Sequence, residues 1–427
     1  MAGASKPRLI ALDILDRVLG HARSFDETFA GHPRLADLAP RDRAFARLLV
    51  TTVLRRLGQI DAVLDAFLRT TPKDLRVRNL LRLGAAQLLL LGTPAHAAVG
   101  ETVALAAGKQ AFARGLVNAV LRRAAGEGPA LLAAQDAPRL NTPGWLWQSW
   151  CGAYGEERAR AIAETHLAEP PLDLTVKEEP EVWAGRLDAE RLWGNTLRRA
   201  SGGQVESLPG YAEGAWWVQD VAATLPATLL GAIADARVID LCAAPGGKTA
   251  QLCAMGARVT AVELSERRAG RLHANLERLY LSAQLVVADA LEWRPAEPAP
   301  YVLLDAPCTA TGTIRRHPDI AWHKTPDDVA RMAELQAALL RAAGEMLAPG
   351  GILVYASCSL QPEEGPLLIG RALQAHPKLE RSPIAATELE DLPVELTGKR
   401  EVRTLPCHLA ERGGMDGFFI ARLRRRD

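Results

Sequence analysis

Apolar residues recur at helical spacing from Pro7 to about Arg123, as in Leu9, Leu12, Ile14, Leu15, Val18 and Leu19 and again in Val50, Val53, Leu54 and Leu57. Breaks near Gly31 to Pro33, Thr70 to Pro72 and Gly92 to Pro94 cut this pattern into successive helices, which predicts a compact all-helical domain. Gly126 to Pro129 and Pro138 to Pro143 punctuate the chain. A segment carrying Trp145, Trp147 and Trp150 then reads as helical up to Pro170 and Pro171. Between Leu172 and Trp217 the short apolar runs LDLTVK and GAWWVQD flank a helical stretch, a mixed pattern that suits a small α/β unit. After about Ala222 the strands RVIDL, RVTAVE, AQLVVAD, YVLLD and GILVYAS alternate with helical stretches, the pattern of a parallel sheet covered by helices on both faces.

The expectation is therefore a multidomain chain: an all-helical domain over 1–138, a small α/β linker domain over 139–222, and an α/β domain of Rossmann type over 223–427. No internal repeat or low-complexity tract interrupts it. With 427 residues and 48% hydrophobic content, the chain has enough apolar material for two or three packed cores. Asp13 and Asp16 interrupt the N-terminal apolar stretch, and the run around Leu88 to Leu91 soon meets Pro94 and His96, so a soluble cytoplasmic protein is expected. The six cysteines show neither a disulfide-scaffold spacing nor a zinc-type pair, and reduced thiols with no metal are expected.

The overall charge of +1 hides an asymmetry: residues 1–130 carry 19 Lys or Arg against 11 Asp or Glu, while the remainder carries 32 against 39. A basic front half suggests a polyanionic partner. The bland alternative is a solvated, arginine-rich helical surface, and charge alone does not choose between them.

Candidate chemistry gathers in the last domain. DLCAAPGGKT follows a buried strand and opens a helix, so Gly246 and Gly247 can bring the backbone close to a ligand at the helix N-terminus. Glu263 ends the next strand, twenty-three residues after Asp240, where a carboxylate can accept both hydroxyls of a ribose. Asp289 ends the third strand, placed to meet an adenine amino group, and Asp305 the fourth, so four acidic strand ends are expected on one rim. A rival exists, since CAAPGGKT differs from the phosphate-cradling loop G-x-x-x-x-G-K-[ST] only by Cys242 at the first glycine. Against that ATPase reading, the acidic rim suits a cationic sulfonium better than a triphosphate.

Cys308 in LLDAPCTATG and Cys358 in LVYASCSLQPEE both follow strand ends, whereas Cys151, Cys242, Cys253 and Cys407 read as small core residues. A thiolate adding to C6 of a cytosine makes the otherwise electron-poor C5 nucleophilic toward a methyl cation. Asp305 would contact N3 and the exocyclic amine of that base. Spacing does not rank the two thiols, nor does it name the base that removes the C5 proton.

At these residues the chain resembles the RNA cytosine-5 methyltransferase family. DLCAAPGGKT, LLDAPCTATGTIRRHPDI, LVYASCS-x-x-PEE and the terminal GMDGFF stand in the order of its motifs, and PAHAAVGETV and RGLVNAVLRR resemble a NusB-like front domain. The resemblance covers nearly the whole chain and is weakest between about Glu178 and Ser207. It implies Cys358 as nucleophile and Cys308 as assisting thiol, with S-adenosyl-L-methionine held by Cys242, Ala243, Ala244, Pro245, Gly246, Gly247, Lys248, Glu263, Asp289 and Asp305. It further implies an RRM-like linker domain, small-subunit (16S) ribosomal RNA as partner and a monomeric enzyme. Glu263 stands where aspartate is usual, Ser357 where threonine is usual, and LTVK where LRVN is usual. Arg315, Arg316 and His317 follow Cys308 in a loop expected to grip phosphates or a flipped nucleotide. Arg114, Arg122 and Arg123 are expected to contact RNA from the helical domain. Methylation of transfer RNA or another RNA, and a non-catalytic RNA-binding role, are the remaining alternatives.

Overall fold

The computed structural model describes residues 5–200, 203–389 and 392–427; Met1 to Ala4, the start of the stretch read above for targeting, lie outside them. The chain divides into two compact units, Met1–Ala168 with Ile314–Lys324, and Glu169–Thr313 with Thr325–Asp427.

The first unit is helical. Its main helices are Lys6–His21, Pro40–Arg55, Leu57–Phe67, Leu75–Leu89, Ala95–Leu105 and Arg114–Ala133; three of the turns between them fall at the expected Gly and Pro breaks, while those at Arg56 and at 106–113 fall outside them. The apolar faces marked by the sequence form its core: Leu12, Ile14, Leu15 and Val18 meet Val50, Val53 and Leu54, all buried. Asp74 caps the fourth of these helices, Leu75–Leu89, by accepting from the Arg76 and Val77 N–H groups. Part of the arginine excess is spent inside the fold, where Arg76 pairs with Asp13 and Asp16, Arg78 with Asp61 and Asp65, and Arg82 with Asp61. The tryptophan-bearing helix Gly144–Tyr154 and its successor Glu156–Thr165 also belong to this unit. The expected boundary after residue 138 thus falls inside the short helix Ala137–Leu140.

The stretch Ile314–Lys324, although it follows the first rim cysteine in sequence, is built into the same helical unit. Asp319 is 4% exposed and accepts from the Phe25 N–H at 2.9 Å. Trp322 packs on the helical core and donates its indole N–H to the Leu54 carbonyl at 2.8 Å. Arg55 donates to the Arg315 carbonyl at 2.8 Å, and His317 Nδ1 lies 2.8 Å from Asp26 Oδ2. Burial opposes ionisation of Asp26, yet its bond to His317 and the His317 and Arg47 charges hold it below the usual carboxylate range.

The second unit begins with a small antiparallel sheet of β1 (Leu172–Val176), β2 (Glu190–Trp193), β3 (Thr196–Arg199) and β4 (Trp216–Val218), in the order β2-β3-β1-β4. A buried bidentate pair, Arg198 on Asp173 at 2.7 and 2.8 Å, ties its centre together. The large sheet follows: β5 (Arg237–Leu241), β6 (Arg258–Glu263), β7 (Gln284–Val287), β8 (Ala299–Asp305), β9 (Leu347–Ser357), β10 (Leu379–Arg381), β11 (Glu395–Leu396), β12 (Val402–Arg403) and β13 (Phe419–Arg425). Its order is β11-β12-β13-β9-β8-β5-β6-β7, with β10 on β13. Strands β5 to β9 are parallel, as their near-continuous apolar runs predict. β13 enters antiparallel beside β9, so the sheet is mixed rather than wholly parallel. The chain runs outward through β5, β6 and β7 and then returns to place β8 on the other side of β5, which makes the β5/β8 boundary the topological switch point.

Candidate active site

At a switch point the loops leaving the two central strands diverge and open a crevice. Here the loop Cys242 to Gly246 leaves β5 and enters the helix Gly247–Ala254. Gly246 has φ +104°, and a side chain there would press Leu272 at 3.0 Å, so glycine is required both by conformation and by space. The loop and the helix start present backbone N–H groups with a positive dipole end.

Glu263 closes β6 with its side chain only 3% exposed. It accepts from the Ala244 N–H at 3.2 Å, the Ser265 N–H at 3.0 Å and Arg268 at 3.2 Å, while Arg268 also donates to the Ala244 carbonyl. Glu263 therefore braces the glycine loop as well as facing the rim. Asp289 lies just beyond β7 and accepts from the Leu291 N–H at 2.9 Å. Asp305 closes β8 and receives the Lys248 ammonium at 2.7 Å; the same ammonium lies 5.1 Å from the Phe418 ring centre. Burial alone would lower the Lys248 pKa, but Asp305 outweighs it and holds the group above its usual value.

Asp240 departs from the expected acidic rim. It sits one residue inside the end of β5, fully buried, with Oδ2 accepting from Thr249 at 2.6 Å and Oδ1 without a partner. Burial pushes its carboxyl up to about 7. Burial likewise pushes the Cys242 and Cys253 thiols up to about 12, which makes both poor nucleophiles at neutral pH.

The rim thiols meet. β8 and β9 run parallel with Asp305 opposite Ala356, so the two chains emerge side by side at the same height. Cys308 Sγ and Cys358 Sγ stand 3.3 Å apart. Backbone bonds hold the two loops against each other: Ala306 N–H to the Ala356 carbonyl at 2.9 Å, and Gly312 N–H to the Cys358 carbonyl at 2.9 Å. The Cys358 thiol is raised well above the usual thiol range, foremost by its bond to Cys308, then by burial and by the electrostatic influence of Cys308 and Asp305, with Lys248 opposing. The arrangement places two thiols, a carboxylate and an ammonium on one rim, beside a glycine loop.

The three residues expected to grip phosphates or a flipped nucleotide stand in a loop that packs into the helical unit. Arg315 is 1% exposed, Arg316 and His317 are partly buried, and all three belong to the helical unit. Arg114, Arg122 and Arg123 are exposed on the helix Arg114–Ala133; Arg114 donates to the Ala106 carbonyl at 2.7 Å, and Arg123 lies over the Phe67 ring. Among the described residues, no cluster of acidic, His or Cys side chains could hold a metal, and no helix is long and apolar enough to cross a membrane. Two groups escaped sequence reasoning: Phe418, legible only as part of GMDGFF, and Glu364, legible only as the last residue of PEE.

The family described as 16S rRNA methyltransferase RsmB/F matches residues 227–424, and the NusB family matches residues 5–126. The chain is similar to the ribosomal RNA small subunit methyltransferase B of Pseudomonas putida, 38% identical over 439 residues and 98% of both chains. That of Vibrio cholerae is 36% identical over 91% of each. Among solved structures, PH0851 superposes over 99% of both chains with a TM-score of 0.78 at 22% identity. NSun6 from Pyrococcus horikoshii with SFG superposes over 67% of this chain and 98% of its own, with a TM-score of 0.58 at 19% identity. At such identities these two support the fold.

Proposed function

Because the chain belongs to the 16S rRNA methyltransferase RsmB/F family, we propose that it methylates C5 of a cytosine in small-subunit ribosomal RNA through a transient bond between Cys358 and C6. The observation that carries this reading is the sulfur pair at 3.3 Å on the switch-point rim, next to the Asp305–Lys248 pair. The donor set fits S-adenosylmethionine: Glu263 and Asp289 would hold its ribose and adenine, and the N–H groups of Cys242 to Lys248 its amino-acid end. The cofactor would supply an electrophilic methyl group.

The protein's own residues do the rest. The Cys358 thiol gives up its proton, which passes by way of the Asp305 carboxylate to N3 as the sulfur bonds to C6 and the C5=C6 pair shifts into the ring. The ring is now an enamine, nucleophilic at C5. After alkylation a base removes the C5 proton, the electrons restore C5=C6, the S–C6 bond breaks to return the thiolate, and N3 hands its proton back to Asp305. Cys308, touching Cys358, is placed to assist this release. The Cys308 contact is also the leading reason that Cys358 resists ionisation. A base entering between the sulfurs would relieve that contact and favour the thiolate. A cytoplasmic, monomeric enzyme is part of this proposal.

Cys358→Ala should abolish methylation, and Cys308→Ala should accumulate a protein–RNA adduct visible as a shifted band on a denaturing gel. The opposite outcome for the two variants would exchange their roles. Failure of 5-fluorocytosine-substituted 16S RNA to form an adduct with the intact enzyme would refute the covalent route.

A further inference from the structure

Glu364 is fully buried, yet its carboxylate faces neither solvent nor a cation in the hydrogen bonds it makes. Every one of those bonds instead reaches a neutral donor around the two thiol-bearing loops. Oε1 accepts from the Thr309 N–H at 2.8 Å and from Gln336 Nε2 at 3.0 Å. Oε2 accepts from the Thr309 hydroxyl and from the Ser359 hydroxyl, the latter at 2.5 Å. Thr309 follows Cys308 directly, and Ser359 follows Cys358 directly.

Neighbouring groups brace the carboxylate from behind. Gln336 also donates to the Pro307 carbonyl at 2.9 Å, so the residues on both sides of Cys308 are held. The fully buried Tyr355 hydroxyl bonds the Glu364 carbonyl at 2.8 Å and Gln336 Oε1 at 3.1 Å. Thr311 touches the Ser359 hydroxyl at 3.3 Å and accepts from the Leu360 N–H at 3.0 Å. A buried carboxylate that spends its acceptor sites on loop donors is costly to desolvate and is stable only while those donors stay in place. Its geometry therefore dictates theirs.

We propose that Glu364 is a positioning residue that clamps the Cys308 and Cys358 loops together and thereby sets the distance between the two sulfurs. This rests on the proposed thiol chemistry for its consequence, but the clamp itself is a statement about geometry. Neither sulfur touches the carboxylate, so Glu364 acts through Thr309 and Ser359.

The test pairs turnover with a direct probe of sulfur proximity. Phenylarsine oxide captures two adjacent thiols: two As–S bonds form, both thiol protons leave with the arsenic-bound oxygen as water, and no oxidation state changes. Full-length wild type should show the Cys308–Cys358 arsenical bridge in peptide mass mapping. Glu364→Ala should lose most of that bridge and lower kcat by about 100-fold, the scale of a 1 Å misplacement. Its KM for S-adenosylmethionine should stay within twofold. Glu364→Gln, which keeps the shape and an acceptor for the Thr309 N–H, should restore bridging and most of the turnover. If Glu364→Ala fails to fold, Thr309→Val with Ser359→Ala removes the hydroxyl ties while leaving the carboxylate, and the same losses are expected. Bridging and kcat at wild-type levels in Glu364→Ala, or in that double variant, would overturn the clamp. A wild type that bridges arsenic but methylates no ribosomal RNA would instead overturn the proposed function and leave the clamp standing.

Discussion

Gly312→Ala would place a methyl group where three backbone segments already touch. The new Cβ would stand 2.0 Å from the Gly417 carbonyl oxygen and 2.8 Å from that of Cys358, whereas ordinary contacts begin near 3.4 Å. Both neighbours are backbone, so no side chain can swing aside, and the segments must part by about 1 Å. Overpacking of this kind costs about 1–3 kcal/mol. Two backbone bonds, Gly312 N–H to Cys358 O at 2.9 Å and Gly417 N–H to Gly312 O at 2.8 Å, are strained with it. At about 1 kcal/mol each, the total reaches about 3–5 kcal/mol. For a unit of this size that corresponds to a fall in Tm of about 10 °C. Because the Cys358 backbone is displaced, kcat should fall by about 100-fold as well. Differential scanning calorimetry and methyl-transfer assays on 16S RNA measure the two effects. Gly270→Ala serves as the control: its Cβ meets nothing within 4 Å in the helix Glu266–Arg278, so it should stabilise by about 0.5–1 kcal/mol without changing kcat. A Gly312→Ala protein with wild-type Tm and turnover would refute the close packing of the cysteine loops.

Asp240 is raised by burial from 3.8 to about 7, so its share of stability is complete below pH 3.8 and is lost as the pH climbs through 7. Asp240→Asn should therefore gain on wild type by about 2.5 kcal/mol between pH 5 and pH 8 in urea unfolding; a gap that does not change with pH would contradict this. Arg122→Ala with Arg123→Ala should weaken 16S RNA binding regardless of sequence and reduce the log–log salt slope by about two, as two lost phosphate contacts require. Unchanged affinity and slope would assign both arginines to ordinary surface charge.

The parts legible in the sequence were those set by local rules. Helical periodicity with Gly and Pro breaks marked the front unit, and apolar runs ending in acids marked β5, β6 and β8. Gly246 announced its loop because only glycine tolerates that backbone. Asp240 misled, since a strand end one residue too early points the side chain into the core instead of onto the rim. The antiparallel entry of β13 has no local signature, because strand direction depends on distant partners. Arg315 and His317 point in the sequence to an RNA-gripping loop, because sequence does not reveal partners such as Arg55 and Asp26, more than two hundred residues away. The 3.3 Å sulfur pair was legible as two strand ends, but its closeness depends on β8 and β9 being neighbours.

The helical unit is not a contiguous piece of gene. Its core lacks Trp322, and Phe25 lacks the acceptor on Asp319, until residue 324 has left the ribosome. A nascent chain of 168 residues thus carries a bundle with a missing strap, and vectorial synthesis cannot finish the first-made half first. Expression of that half alone as a stand-alone fragment would need the strap supplied in trans.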